Sequence, residues 1–209
     1  MIKILIADDH AVVRQGIKNI VESGNDMQVI GEASNGAELL NFVKDQMPDV
    51  VVLDLSMPGR NGLEILKDLK RQFPSLSVIV LSMHPEDQYA VRAFRAGASG
   101  YMTKESAPSE LVKAIKVANQ GGKYISPLAA ALLASYVEIK SVDEQHKLLS
   151  DREYEVFILL AEGQTVGGIA VELNLSVKTI STYRTRILEK MRMNTNAELA
   201  KYARNFNLI

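Results

Sequence analysis

Along the first 120 positions, short β-rich apolar runs alternate with longer stretches of a different rhythm. The runs are IKILIA at 2–7, MQVIGEA at 27–33, DVVVLD at 49–54, SVIVLS at 77–82 and ASGYM at 98–102. Between them apolar residues recur about every 3.6 positions, as in GLEILKDLKRQF, the spacing of amphipathic helices. Five strands alternating with five helices, the last being PSELVKAIKVANQ, imply right-handed crossovers and an α/β doubly wound five-stranded parallel sheet. Such strands are apolar because helices cover both faces, and ligands gather beyond their carboxyl ends.

Gly121 and Gly122 stop the fifth helix, which gives a first domain over 1–121. ISPLAAALLASYVEI reads as one more helix, with Ser126 and Pro127 suited to its start. The polar KSVDEQHK has no periodicity and places an interdomain linker near 138–147, so 122–147 is a helix followed by a linker. From Leu148 to Ile209 the pattern is wholly helical, with helices predicted at 151–162, 165–173, 177–191 and 195–205. These make an all-α four-helix domain whose short helices need one another's apolar faces.

Hydrophobic residues at 47% and charged residues at 23% fit a soluble globular chain and argue against extensive disorder. No apolar run approaches the roughly 18 residues of a membrane span, and MIKILIADDH puts acids where a signal peptide would stay apolar. A cytoplasmic protein without a membrane partner is expected. The absence of cysteine excludes disulfides, thiolate nucleophiles and Cys-ligated zinc. His10, His84 and His146 lie too far apart in sequence for a paired metal spacing.

The net charge of −1 hides an asymmetry. Residues 148–175 carry Arg152 against five acids. Residues 178–192 carry Lys178, Arg184, Arg186, Lys190 and Arg192 against Glu189, which is 5 − 1 = +4. One local basic segment in a near-neutral chain suggests an anionic partner for one surface.

The acids of the first domain fall in a telling place. Asp8 and Asp9 follow the first strand, and Asp54 closes the third, its neighbour at the switch point of a doubly wound sheet. Individually they suit solvated loop acids capping the next helix. Together they suit a hard divalent cation, because Mg²⁺ takes a few carboxylate oxygens and keeps several waters. Ser82 ends the fourth strand and Lys104 follows the fifth. A hydroxyl and an ammonium on the same edge complete a set able to hold a phosphoryl group, with a carboxylate as acceptor.

IADDH, VVVLDLSMPGRNGLE, VIVLS and GYMTK resemble the receiver domain of bacterial two-component response regulators over the whole first domain. The resemblance implies a flavodoxin-like fold and assigns roles. Asp54 is the phosphoacceptor; Asp9, Asp54 and the backbone carbonyl of Ser56 ligate Mg²⁺, or another divalent cation in its place; and Asp8 acts largely through water. Ser82 is the hydroxyl position, Lys104 pairs with phosphate, and Tyr101 is the aromatic that turns inward on activation. Glu105 stands where receivers commonly have proline, so no cis peptide is expected there. His84 stands at a position that in receivers helps set the lifetime of the phosphoryl group, and otherwise reads as an exposed loop histidine.

In the second domain, Ser150 with Glu153 has capping-box spacing, and Asn174 to Ser176 forms a tight turn into the basic helix. Ile180, Ile187, Leu188 and Met191 are expected to face the core. Lys178, Ser181, Thr182, Tyr183, Arg184, Thr185 and Arg186 are the candidate DNA contacts, as in a helix lying in the major groove. This segment resembles the LuxR-type helix-turn-helix, so the whole chain resembles the NarL/FixJ family, and ISTYRTRI is similar to the BvgA and EvgA branch. Val166-Gly167-Gly168 departs from the polar, basic triplet usual there, and adjacent glycines cost a helix about 1 kcal/mol each.

The resemblance implies a DNA-binding response regulator phosphorylated by a sensor histidine kinase. It implies binding to double-stranded DNA as a homodimer through the last helix, and no turnover of an external substrate. Two rivals differ in class. An Asp-based phosphatase needs a second acid where Ser56 stands, and a small-molecule sensor fused to a LuxR-type domain has no use for the Asp8, Asp9, Asp54, Ser82 and Lys104 set.

Overall fold

The computed structural model describes residues 1–138 and 145–209, so most of the linker expected at 138–147 lies outside the described residues. The chain divides into two compact units, Met1–Glu138 and Ile139–Ile209.

In the first unit, β1 (Ile2–Ala7), β2 (Met27–Ala33), β3 (Val50–Asp54), β4 (Ser77–Ser82) and β5 (Gly100–Thr103) form one parallel sheet in the order β2-β1-β3-β4-β5. Each strand of β3 and β4 is buried along its entire length, as expected when helices cover both faces. α1 (Ala11–Glu22) and α5 (Ala107–Asn119) close one face over Ile4, Ile6, Val50, Val52, Ile79 and Leu81. The alternate side chains Leu5, Val51, Leu53, Val78 and Val80 are equally buried and point the other way. That second face is covered by α2 (Gly36–Asp45), α3 (Gly62–Gln72) and α4 (Glu86–Arg95).

Register sets the height of each strand end. Ala7 pairs with Leu53 and Ser82 with Thr103, so Asp8, Asp54 and Lys104 leave three strands at one edge. The fifth strand starts two residues later than the sequence pattern suggests. Gly97, at φ 101°, ends α4, Ala98 N bonds back to Ala93 O, and Ser99 N reaches Val78 O before the ladder begins.

After α5 the chain runs beside β5: Tyr124 N donates to Ser99 O at 2.7 Å, and Gly100 and Tyr124 form an isolated parallel bridge. This covers a sheet edge that would otherwise present unpaired backbone groups. α6 (Pro127–Glu138) then packs against α4 and belongs to the first unit by its contacts.

Among the described residues of the second unit, a 3₁₀ turn at Gln145–Leu148 is followed by α7 (Asp151–Ala161), α8 (Val166–Glu172), α9 (Val177–Met191) and α10 (Asn196–Asn205). Ser150 and Glu153 make the complete capping box. Thr165 and Thr195, expected inside helices, instead cap α8 and α10, accepting from Gly168 N and Glu198 N. The α8–α9 turn passes through Asn174 at φ 51°, and α9 ends on Arg192 at φ 53°. Tyr154, Phe157, Ile169, Ile180, Ile187, Met191 and Leu199 are buried, whereas Leu188, expected in the core, is only half-buried.

Candidate phosphoacceptor pocket and DNA-binding helix

Asp54 sits at the end of β3 with 1% of its surface exposed, and Asp8 just past β1 is equally covered. Lys104, one residue beyond β5, places its Nζ 2.7 Å from Asp8 Oδ2 and 2.8 Å from Asp54 Oδ2. Its backbone is fixed by a 2.8 Å bond from Lys104 N to Ser82 O, which also sets the fully buried Ser82 at this edge. Ser56 N donates to Asp54 Oδ1 at 3.2 Å, and the bend this bond closes turns the chain out of the sheet.

The next residues explain why the loop can turn so sharply. Asn61 caps α3 by accepting from Leu63 N at 2.9 Å. A Cβ on Gly62 would lie 2.4 Å from Leu55 Cα, so only glycine lets α3 start against the backbone that follows Asp54.

Burial pushes the Asp54 carboxyl above its ordinary pKa; the Lys104 ammonium pulls it back only in part, and the Asp8 charge adds to the rise. Burial also works against the Lys104 ammonium, but its bonds to Asp54 and Asp8 outweigh this and hold its pKa above the ordinary value. One ammonium thus serves two carboxylates, with Asp9 close by. Donor atoms of Asp8, Asp9, His10 and Asp54 lie within 4.8 Å of one another. Oxygen donors in excess of the local positive charge suit a hard divalent cation.

Two residues that sequence reasoning passed over shape the acid pair. Arg14 Nη1 donates to Asp8 O at 2.8 Å while its Nε donates to Glu32 Oε2 at 2.7 Å, tying the β1–α1 loop to β2. His10 Nδ1 lies 2.8 Å from Asp9 Oδ1, and His10 N donates to Asp8 Oδ1 at 2.8 Å. The signal for Arg14 was its place early in the helix that follows Asp8 and Asp9.

Tyr101 is fully buried and turned inward, and its hydroxyl donates to His84 O at 2.8 Å. Burial raises its pKa well above the usual tyrosine range. His84 is no exposed loop residue: its ring stacks on Tyr89 with centroids 4.5 Å apart, and its amide donates to Ser82 Oγ at 3.1 Å. No cis peptide occurs among the described residues, the Lys104–Glu105 bond included.

On α9, Lys178, Ser181, Thr182, Thr185 and Arg186 are exposed, while Tyr183 and Arg184 are half-buried. Thr182 Oγ1 donates to Lys178 O at 2.9 Å and Thr185 Oγ1 to Ser181 O at 3.1 Å, so both hydroxyls turn back onto the helix. Arg184 Nε is held by Asn196 Oδ1 at 2.8 Å, which ties α9 to the start of α10. Ser176 caps the helix through Thr179 N.

Residues 4–116 match the response regulator receiver domain family, and residues 147–203 match the bacterial regulatory proteins of the luxR family. The chain is 36% identical over 204 residues to the response regulator UvrY of Escherichia coli strain K12, spanning 97% of this chain and 94% of UvrY. It is 38% identical over 204 residues to the response regulator GacA of Pseudomonas aeruginosa, spanning 97% and 95%. Among solved structures, RcsB from Salmonella enterica serovar Typhimurium, bound to promoter P1flhDC with a beryllofluoride phosphomimetic, has a TM-score of 0.66. It shares 33% identity over 100% of this chain and 99% of RcsB. No helix among the described residues is long and apolar enough to cross a membrane. The chain belongs to the NarL/FixJ family of two-component response regulators, a receiver domain joined to a LuxR-type DNA-binding domain.

Proposed function

We propose that Asp54 accepts a phosphoryl group from the phosphohistidine of a sensor histidine kinase in the cytoplasm. The observation that carries this is Lys104, whose ammonium bridges Asp8 and Asp54 in a covered pocket. In the transfer, an Asp54 oxygen forms a bond to phosphorus, the P–N bond breaks, and the leaving imidazole takes up a proton. Lys104 then swings one of its hydrogen bonds to a phosphoryl oxygen, and Ser82 donates to another. Asp9, Asp54 and the Ser56 carbonyl would hold Mg²⁺, with Asp8 bonding through water; when bound, the ion supplies charge neutralisation for the phosphoryl oxygens. Asp54 is a switch rather than a turnover site, since Ser56 cannot serve as the second acid of a phosphatase.

The output is double-stranded DNA bound by a homodimer that forms on activation through α10. Lys178 and Arg186 on the exposed side of α9 meet phosphates or base edges, and Ser181, Thr182, Tyr183 and Thr185 lie beside them. Arg184 contributes through α10 as much as through DNA, given its bond to Asn196.

Incubating the full chain with a small phosphodonor and Mg²⁺ and recording intact mass tests the acceptor. One phosphoryl group on the native chain, dependent on the cation and absent from Asp54→Asn, is expected. Equal labelling of the variant would rule out Asp54.

A further inference from the structure

A short polar chain runs from the pocket to the first turn of α6. Ser82 Oγ accepts from His84 N at 3.1 Å, and His84 O accepts from the Tyr101 hydroxyl at 2.8 Å. His84 is followed by Pro85, whose ring fixes φ, and then by Glu86, the first residue of α4. Glu86 Oε2 accepts a hydrogen bond from Ser126 Oγ. The same Ser126 oxygen accepts from Ala129 N at 3.0 Å, so it caps α6 as well.

The surroundings make this a grip rather than a chance contact. Residues just before Ser126 lie along β5 through the Tyr124–Ser99 bond, and Ala129 is fully buried where α6 meets α4. His84 is itself held against α4 by stacking on Tyr89. A displacement at His84 is therefore carried to Glu86 instead of being absorbed by a loose loop.

We propose that the Ser126–Glu86 hydrogen bond is a latch that holds α6 on α4, and that phosphorylation of Asp54 releases it. The release step rests on Asp54 being the phosphoacceptor. A Ser82 hydroxyl drawn to a phosphoryl oxygen moves away from the His84 amide, and the His84–Glu86 segment follows. α6 is the last element of the first unit, so its release is the form in which the state of the pocket passes on toward the DNA-binding unit. A hydrogen bond to a charged acceptor shifts such an equilibrium by roughly tenfold or more.

Hydrogen exchange of the amides in 127–134, measured by mass spectrometry on the full chain, tests the latch. Three variants separate it from the cap. Glu86→Ala removes the acceptor and leaves the cap, Glu86→Gln keeps an accepting oxygen, and Ser126→Asp caps the helix while repelling Glu86. Without phosphodonor, Glu86→Ala and Ser126→Asp are expected to exchange about tenfold faster than the native chain in this segment, and Glu86→Gln close to native. Wild-type exchange in both disrupted variants, with melting curves showing them folded, would overturn the latch. With Mg²⁺ and acetyl phosphate, the native chain is expected to reach the rate of Glu86→Ala once intact mass reports phosphorylation. A phosphorylated chain with unchanged exchange would overturn the release. A chain that takes up no phosphoryl group would overturn the release together with the reading of Asp54, while the variant comparison without phosphodonor still decides the latch.

Discussion

The Tyr101 hydroxyl donates a 2.8 Å hydrogen bond to the carbonyl oxygen of His84, holding a fully buried ring against the loop that leaves β4. Tyr101→Phe keeps the ring and removes only this bond, leaving the His84 carbonyl without that donor. A loss of about 1 kcal/mol is expected in urea unfolding, against about 3–5 kcal/mol for Tyr101→Ala, which also leaves a cavity.

Lys104 is the ammonium shared by Asp8 and Asp54, and its side chain is only 12% exposed. Lys104→Met should destabilise the receiver by about 3 kcal/mol, because it strands covered carboxylates. Millimolar Mg²⁺ should recover part of that loss by binding the folded state alone. Calorimetry with and without Mg²⁺ measures both effects, and the recovery should vanish in Lys104→Met combined with Asp9→Ala.

Glu153 joins α7 to α9 through Lys190, 2.5 Å away, and completes the capping box through Ser150 N at 2.8 Å. Burial raises its pKa, but the bonds from Lys190 and Ser150 prevail and hold it below the ordinary value. Its stabilisation is therefore present above the unfolded pKa, about 4.3, and is lost as pH falls through the lower folded pKa. Hydrogen exchange in α7 and α9 should be faster in Glu153→Gln than in the native chain at pH near 7, and the two should converge in acid.

Two glycines, one in each unit, predict opposite outcomes. A Cβ on Gly167 in α8 would meet only Thr165 Oγ1 at 4.0 Å, so Gly167→Ala should stabilise the helix by about 1 kcal/mol. A Cβ on Gly62 would meet Leu55 Cα at 2.4 Å and Leu55 O at 2.7 Å, so Gly62→Ala should push α3 off the loop after Asp54 and lower stability. Thermal melting of the two full-length variants compares them directly.

Strand order, helix spans and the convergence of Asp8, Asp54, Ser82 and Lys104 were legible because period, strand-end position and topology fix them together. What was not legible depended on side-chain direction. Arg14 and His10 hold the acid pair through a backbone carbonyl and a ring nitrogen, which no spacing rule reports. Arg184 lies on a basic helix yet bonds Asn196, because α10 folds back beside it. His84 looked exposed because its partner Tyr89 lies five residues on, across a helix start. Leu188 was assigned to the core by helical period alone, and that face of α9 is only half-covered.

In the proposed function the chemical state of Asp54 sets affinity for DNA. The most direct measurement is the dissociation constant of the full chain for a promoter fragment at fixed salt, before and after acetyl phosphate with Mg²⁺. Affinity is expected to rise by about tenfold or more for the native chain and to stay constant for Asp54→Asn. Equal affinities for the phosphorylated and unphosphorylated native chain would contradict it.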